Sequence, residues 1–142
     1  MGPILDRFIG MYDVLRIDNL AVLADVYHRD ITFVDPLHQV EGLADLTQYF
    51  AHLYTNVSAI HFEIEDKVAI DNYGFVYWQM RYNHPRLNSG CDIAVNGHSK
   101  LMFKEEKVIH HRDYFDVGEL LYRHLPVLGS VIKMVDRKAS GK

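Results

Sequence analysis

The chain has 142 residues and a formal net charge of −4, from 15 basic and 19 acidic side chains, with 49% hydrophobic and 24% charged residues. That describes one domain with one sizeable core, and the acidic balance argues against a duplex-reading surface, which needs a concentrated basic stripe. A single cysteine, Cys91, excludes an internal disulfide and a cysteine-rich zinc module, and no apolar run reaches the roughly 18–20 residues that span a bilayer.

Met1 to Arg7 lacks the basic start and long apolar run of a secretory leader, so a cytoplasmic, reduced-compartment protein is expected. Ile4, Phe8, Met11, Tyr12 and Leu15 recur on one face at helical spacing and predict a first helix. Asp18-Asn19 predicts the N-cap of a second, carrying Leu20, Leu23, Ala24 and Tyr27. Ile31 to Val34 is a short β-prone run that stops at Asp35-Pro36, because proline removes a ladder donor. Gly42 then precedes a third helix with Leu43, Leu46, Tyr49, Phe50 and Leu53 on its buried stripe.

From Ala59 the period changes to two, with Ile60, Phe62 and Ile64 alternating against polar neighbours up to a turn at Asp71-Asn72. Phe75–His84, Val95–Lys104 and Val108–Asp116 are three further strands, separated by a Pro85–Gly90 loop and a Glu105-Glu106 turn. The tail from about Val117 returns to helical spacing, divided by Pro126 and Gly129. Three helices and then a meander of long strands give one α+β domain over residues 1–142. A curved antiparallel sheet wrapped on the N-terminal helices would enclose a mostly apolar cavity with a few polar groups. The tail helix, with Val127, Leu128, Val131, Ile132 and Val135 on one side, would close that cavity as a lid or pack elsewhere, across a dimer included, with its last residues Ala139–Lys142 frayed.

Two places offer chemistry. Asp35, before Pro36, is either a turn aspartate or a carboxylate on the cavity wall that burial would turn into a general base. On the last strand, alternation puts Ile109, His111, Asp113 and Phe115 on one face and Val108, His110, Arg112 and Tyr114 on the other. His111 and Asp113 then stand side by side, as a structural contact or as a working pair. A metal site is not expected, since His110 and His111 point to opposite faces. Cys91 sits in a polar loop with nothing to activate it, and Arg81 is an exposed strand arginine or an anion contact.

Tyr27 through Pro36, with Gly42 and Tyr49-Phe50, resembles the opening of the nuclear-transport-factor-2-like (NTF2-like) superfamily. Lys107 through Asp116, with Arg112-Asp113-Tyr114-Phe115-Asp116 its most specific part, resembles the polyketide-cyclase-like (SnoaL-like) branch and limonene-epoxide hydrolase. The resemblance implies a cone-shaped barrel on three N-terminal helices, and a homodimer. Ketosteroid isomerase, a relative that illustrates a protonated carboxylic acid holding an oxyanion, has its base in an Asp-Pro that Asp35 matches. Its oxyanion partners fall on Met11, beside Tyr12, and on Ser99, so that pair is not reproduced. The carboxylate of the cyclases and the epoxide hydrolase matches Asp113. The hydrolase's water-holding tyrosine and asparagine fall on Phe33 and Asp35, and its middle-strand pair on Met80 and Tyr82. The implied apolar lining is Phe8, Met11, Phe50, Leu53 and Trp78, with Met80, Tyr82, Leu101 and Phe115. With Asp35 and Asp113 facing one dry cavity, one carboxyl is expected to hold its proton.

The expected function is a cofactor-independent acid/base enzyme of isomerase, cyclase or hydrolase type, acting on a small apolar, oxygenated molecule. Asp113 would be its base, with His111 and Asp35 in support, and no metal, nucleic acid or membrane span would be needed. The alternative is a non-catalytic binder of a lipid-like ligand or a protein-interaction dimer module. The dimer is expected across the outer sheet face, where Phe75 and Tyr77 oppose Trp78, Met80 and Tyr82 on the inner one.

Overall fold

Helix α1 (Gly2–Val14) buries Leu5, Phe8 and Met11, the stripe that its spacing predicts. The computed structural model describes residues 2–57 and 59–141, so the last residue of the tail, Lys142, lies outside the described residues. Asn19 does not cap the next helix. Its Nδ2 donates to the Val14 carbonyl at 2.7 Å and its Oδ1 accepts from the Arg16 N–H at 2.6 Å, so both ends of the amide close α1 instead. A 3₁₀ turn (Leu20–Val22) and a single helical turn, α2 (Leu23–Val26), come next. Tyr27 opens strand β1 (Tyr27–Val34) rather than continuing a helix. The run Ile31-Thr32-Phe33-Val34 favours extended backbone, and the Tyr27 ring is stacked on His111 with centroids 5.8 Å apart.

A turn at Asp35–His38 leads into a three-residue strand, β2 (Gln39–Glu41), which carries no periodic signal of its own. Gly42 enters α3 (Leu43–Asn56) at φ 86°, ψ 152°, a conformation essentially restricted to glycine. The chain then runs through β3 (Ala59–Ile70), β4 (Tyr73–Asn83), β5 (Ile93–Lys104) and β6 (Lys107–Phe115). It ends with α4 (Val117–Leu120), a 3₁₀ turn (Tyr122–His124) and α5 (Leu128–Ala139).

The six strands form one sheet in the order β2-β1-β6-β5-β4-β3. It is neither closed nor wholly antiparallel, which corrects the expected barrel. β2 and β3 are edges, and β1 runs parallel to β6, a pairing that the long intervening chain permits. The helices pack on one face, with α1 against β3 and α3 against β1. Leu5, Phe8 and Leu15 there meet Ile31, Phe33, Val76, Trp78 and Leu101 in the main core.

A bulge corrects the simple alternation of β6. His110 pairs with Met102, but the next pair is Val108 with Phe103, leaving Ile109 as the extra residue. Val108 and His111, three apart, are therefore both fully buried on the helix side. Among the described residues no helix is long and apolar enough to cross a membrane.

Candidate active site

β6 beyond its bulge presents His111, Asp113 and Phe115 inward, and β5 sets Ser99 opposite Asp113 and Leu101 opposite His111. The Trp78 indole N–H donates to Ser99 Oγ at 3.0 Å, and the Ser99 hydroxyl donates to Asp113 Oδ1 at 2.5 Å. His111 Nε2 lies 2.6 Å from the same oxygen, and its Nδ1 lies 2.7 Å from the Tyr27 hydroxyl, itself 2.7 Å from that of Tyr12. One arrangement of the hydroxyl and ring protons satisfies every contact. Tyr12 donates to Tyr27, Tyr27 to Nδ1, and Nε2–H to Asp113. Burial pushes both tyrosine hydroxyls well above their ordinary range, and the Asp113 charge adds to it, so both remain donors.

His111 and Asp113 have different access. The imidazole is 1% exposed, packed edge-on by Phe8 and Phe33, whereas the Asp113 side chain is 19% exposed. Asp113 Oδ2 has no hydrogen-bond partner among the described residues, and Asp113 lines both a cavity of about 260 Å³ and a smaller void of about 30 Å³ beside it. Of these two, only Asp113 lines the larger cavity and can touch a molecule held there. His111 orients it from behind, as Ser99 does.

The cavity wall includes Tyr12, Phe33, Phe50 and Leu53 from the helical side and β1, and Trp78, Met80, Tyr82 and Phe115 from the sheet. Phe8, Ser99 and His111 border the smaller void. Met11 and Leu101 lie in the core, away from either space. On α1 the adjacent Tyr12 faces the cavity where Met11 does not, because one residue rotates a helical side chain by about 100°. The wall also contains Leu37, His38, Tyr49, Phe62, Leu120 and Leu121, none of which the sequence marks as a site residue. Tyr49 and Phe62 are legible only as stripe residues. His38 gives no local signal.

Asp35 is a turn aspartate that also lines the cavity. Its Oδ1 accepts from the backbone N–H groups of Leu37 and His38 at 2.8 and 2.7 Å, the geometry of a turn aspartate. It also lies on the cavity wall, with a side chain 6% exposed, taking the Tyr49 hydroxyl on Oδ2 at 3.1 Å and His38 Nδ1 on Oδ1 at 3.1 Å. Burial raises the Tyr49 pKa first of all, and Asp35 and Asp113 both push it further. That coupling places Tyr49 within the field of both carboxylates.

The remaining candidates lie elsewhere. Cys91 and Arg81 are exposed, and His110 is paired across the sheet with Met102. Burial and the neighbouring His111, Arg112 and Lys100 lower the His110 pKa, which keeps that ring neutral. Among the described residues no cluster of three or more His, Cys, Asp or Glu is placed to hold a metal ion. Tail helix α5 does not roof the cavity. It packs on the Tyr122–His124 turn, tied by Arg123 to Asp136 at 2.9 Å, and the tail's contribution to the wall is Leu120 and Leu121.

An open curved sheet with helices on one face is the fold this chain shares with NTF2-like structures. The SnoaL-like domain model matches residues 8–111, and the chain belongs to that family. An NTF2-like protein of Burkholderia pseudomallei is 12% identical, with 89% of this chain and 100% of that one covered at a TM-score of 0.76. A protein with a ketosteroid isomerase-like fold from Catenulispora acidiphila, solved in complex with trimethylamine, is 15% identical, with 87% and 93% covered at 0.74. An LEH-like epoxide hydrolase from M. tuberculosis is 11% identical, with 82% and 80% covered at 0.69. At these identities the likeness is one of fold. Comparison with curated proteins gives no match.

Proposed function

We propose that the chain is a cofactor-independent acid/base enzyme that binds a small apolar, oxygenated molecule and moves a proton with Asp113. One observation carries this. Asp113 spends one oxygen on Ser99 and His111, at 2.5 and 2.6 Å, leaves the other unpartnered among the described residues, and lines an apolar cavity. That oxygen is not a buried unsatisfied atom, so it is free to meet a substrate in place of water. The space of about 260 Å³ exceeds the ~150 Å³ that suffices for benzene in a dry cavity. In the step proposed, a C–H bond activated by a neighbouring carbonyl or ring breaks and its proton passes to Oδ2. The electron pair moves to the substrate oxygen, and return of the proton at another atom completes an isomerisation or cyclisation. His111 and Ser99 hold the carboxylate and touch no substrate.

A carbon-acid probe tests this without knowledge of the natural substrate. 5-Nitrobenzisoxazole loses its ring C–H proton to a base, its N–O bond breaks, and a coloured phenolate forms. The wild-type protein should accelerate this elimination well beyond an equal concentration of acetate, and Asp113→Asn should remove at least about a hundredfold of kcat/KM. A wild-type rate no better than acetate overturns the base assignment.

A further inference from the structure

The second carboxylate on the wall is spent, and that singles out the group it holds. Asp35 Oδ1 accepts from the Leu37 and His38 N–H groups and from His38 Nδ1, and its Oδ2 accepts from Tyr49 and lies 3.3 Å from the same Nδ1. Little of Asp35 is left for a substrate. His38, by contrast, is held by its own N–H, by its Nδ1 and by the Tyr49 ring, which it meets edge-on with centroids 5.0 Å apart. Its side chain is 47% exposed and borders the cavity, and Nε2 has no partner among the described residues. A carboxylate on Nδ1 fixes the tautomer and leaves Nε2 to gain or lose the working proton. The fixed ring thus borders the same cavity as Asp113 from a different element.

We propose that His38 is the general acid of this site: in its doubly protonated form Nδ1–H stays on Asp35 and Nε2–H passes to the substrate oxygen on which charge develops when Asp113 takes the carbon-bound proton. This rests on Asp113 as the base, and it specifies the substrate class. The molecule carries an acidic C–H and, conjugated to it, an oxygen that becomes an enolate or phenolate. Proton and charge balance within the site, since Asp113 gains the proton while His38 supplies one to the oxygen. Asp35 and Tyr49 are positioning residues for the imidazole, and they are the titratable side chains packed against it.

The test uses His38→Asn, whose amide reproduces the Nδ1 bond to Asp35 and deletes Nε2. With 5-nitrobenzisoxazole the variant should lose about tenfold in kcat with KM within twofold. With unsubstituted benzisoxazole, whose phenolate is more basic and needs a proton more, the loss should be several times larger. A structural role would lower both rates by the same factor. Equal losses, or none, overturn the proposal. A second measurement separates it from the base assignment. In Asp113→Asn, the product 2-cyano-4-nitrophenolate should still bind and shift the His38 Nε2 resonance in a histidine-selective nitrogen NMR spectrum. An unmoved Nε2 signal under saturating phenolate overturns His38 alone and leaves Asp113 standing. A wild-type protein inactive toward both benzisoxazoles overturns the base, and the acid with it.

Discussion

Two donors, the Ser99 hydroxyl and His111 Nε2–H, meet one oxygen of Asp113 beside aromatic rings. Asp113→Asn preserves that acceptor, so the fold should survive with a melting temperature within a few degrees of wild type while proton abstraction is lost. Thermal melts beside the benzisoxazole assay check both halves. Loss of stability with the rate intact would make Asp113 structural. His111→Phe is a harsher change. It removes the acceptor of the Tyr27 hydroxyl proton, at about 1–3 kcal/mol for the unsatisfied donor, and one of the two donors to Asp113 Oδ1, and should lower the denaturation midpoint clearly. Buried Tyr27, 0% exposed, makes a pH prediction. Its folded pKa lies above the unfolded value of about 10, so above that pH the unfolded chain binds fewer protons than the native one. Stability from this group is complete below pH ~10 and falls by up to about 1.4 kcal/mol per unit as pH rises beyond it. Denaturation midpoints between pH 9 and 11 should drop accordingly, and Tyr27→Phe should flatten the decline.

At the level of elements, the legible features were local ones. The α1 stripe, the alternation of β3 to β6 and the adjacency of His111 and Asp113 come from residue spacing over a few positions. Features that spacing alone misses are set by contacts across the molecule. The end of α2 is decided by the stacking of Tyr27 on His111, 84 residues away in sequence. The Ile109 bulge is set by the pairing of β6 with β5, and the register with β1 shifts over the same stretch. His38 becomes a site residue because α3 carries Tyr49 to the turn that Asp35 closes. Gly97 shows the same dependence. It faces Trp78 across the β4–β5 pair, and a Cβ there would run into the indole ring. Gly97→Ala should cost about 1–3 kcal/mol through overpacking, and should lower kcat by disturbing the indole that holds Ser99. Tail helix α5 makes the opposite case. Its apolar stripe is plain in the sequence, yet Val127, Leu128, Val131 and Val135 remain exposed, and the cavity wall stops at Leu121. Deleting residues from Pro126 onward should therefore leave KM for the benzisoxazole probe unchanged, whereas Leu121→Ala should alter it.

For the whole molecule, the sheet divides the work between its faces. The inner face carries Trp78, Ser99, His111 and Asp113. The outer face carries a stacked row in which His98 lies between Tyr77 and Tyr114, centroids 5.1 and 4.8 Å away, with Arg112 over the Tyr114 ring. Tyr77 and Tyr114 are 44% and 39% exposed, large rings left on an otherwise ordered strand surface. A second copy of the same face is the cover that fits, because flat aromatic rows are self-complementary about a two-fold axis. A stable contact of this kind takes about 800 Å² per partner, roughly a tenth of the 8456 Å² surface. The expected species in sedimentation at micromolar concentration is a homodimer. Tyr77→Glu with Tyr114→Glu should convert it to monomer, since both side chains point away from the cavity and like charges would meet across the axis. The proton-transfer rate of that monomer should stay within about twofold, because every group from Tyr12 to Trp78 in the buried network lies on the other face. A wild-type monomer sinks the proposed dimer. A double variant that still sediments as a dimer moves the interface to the exposed stripe of α5, the other large apolar surface left uncovered.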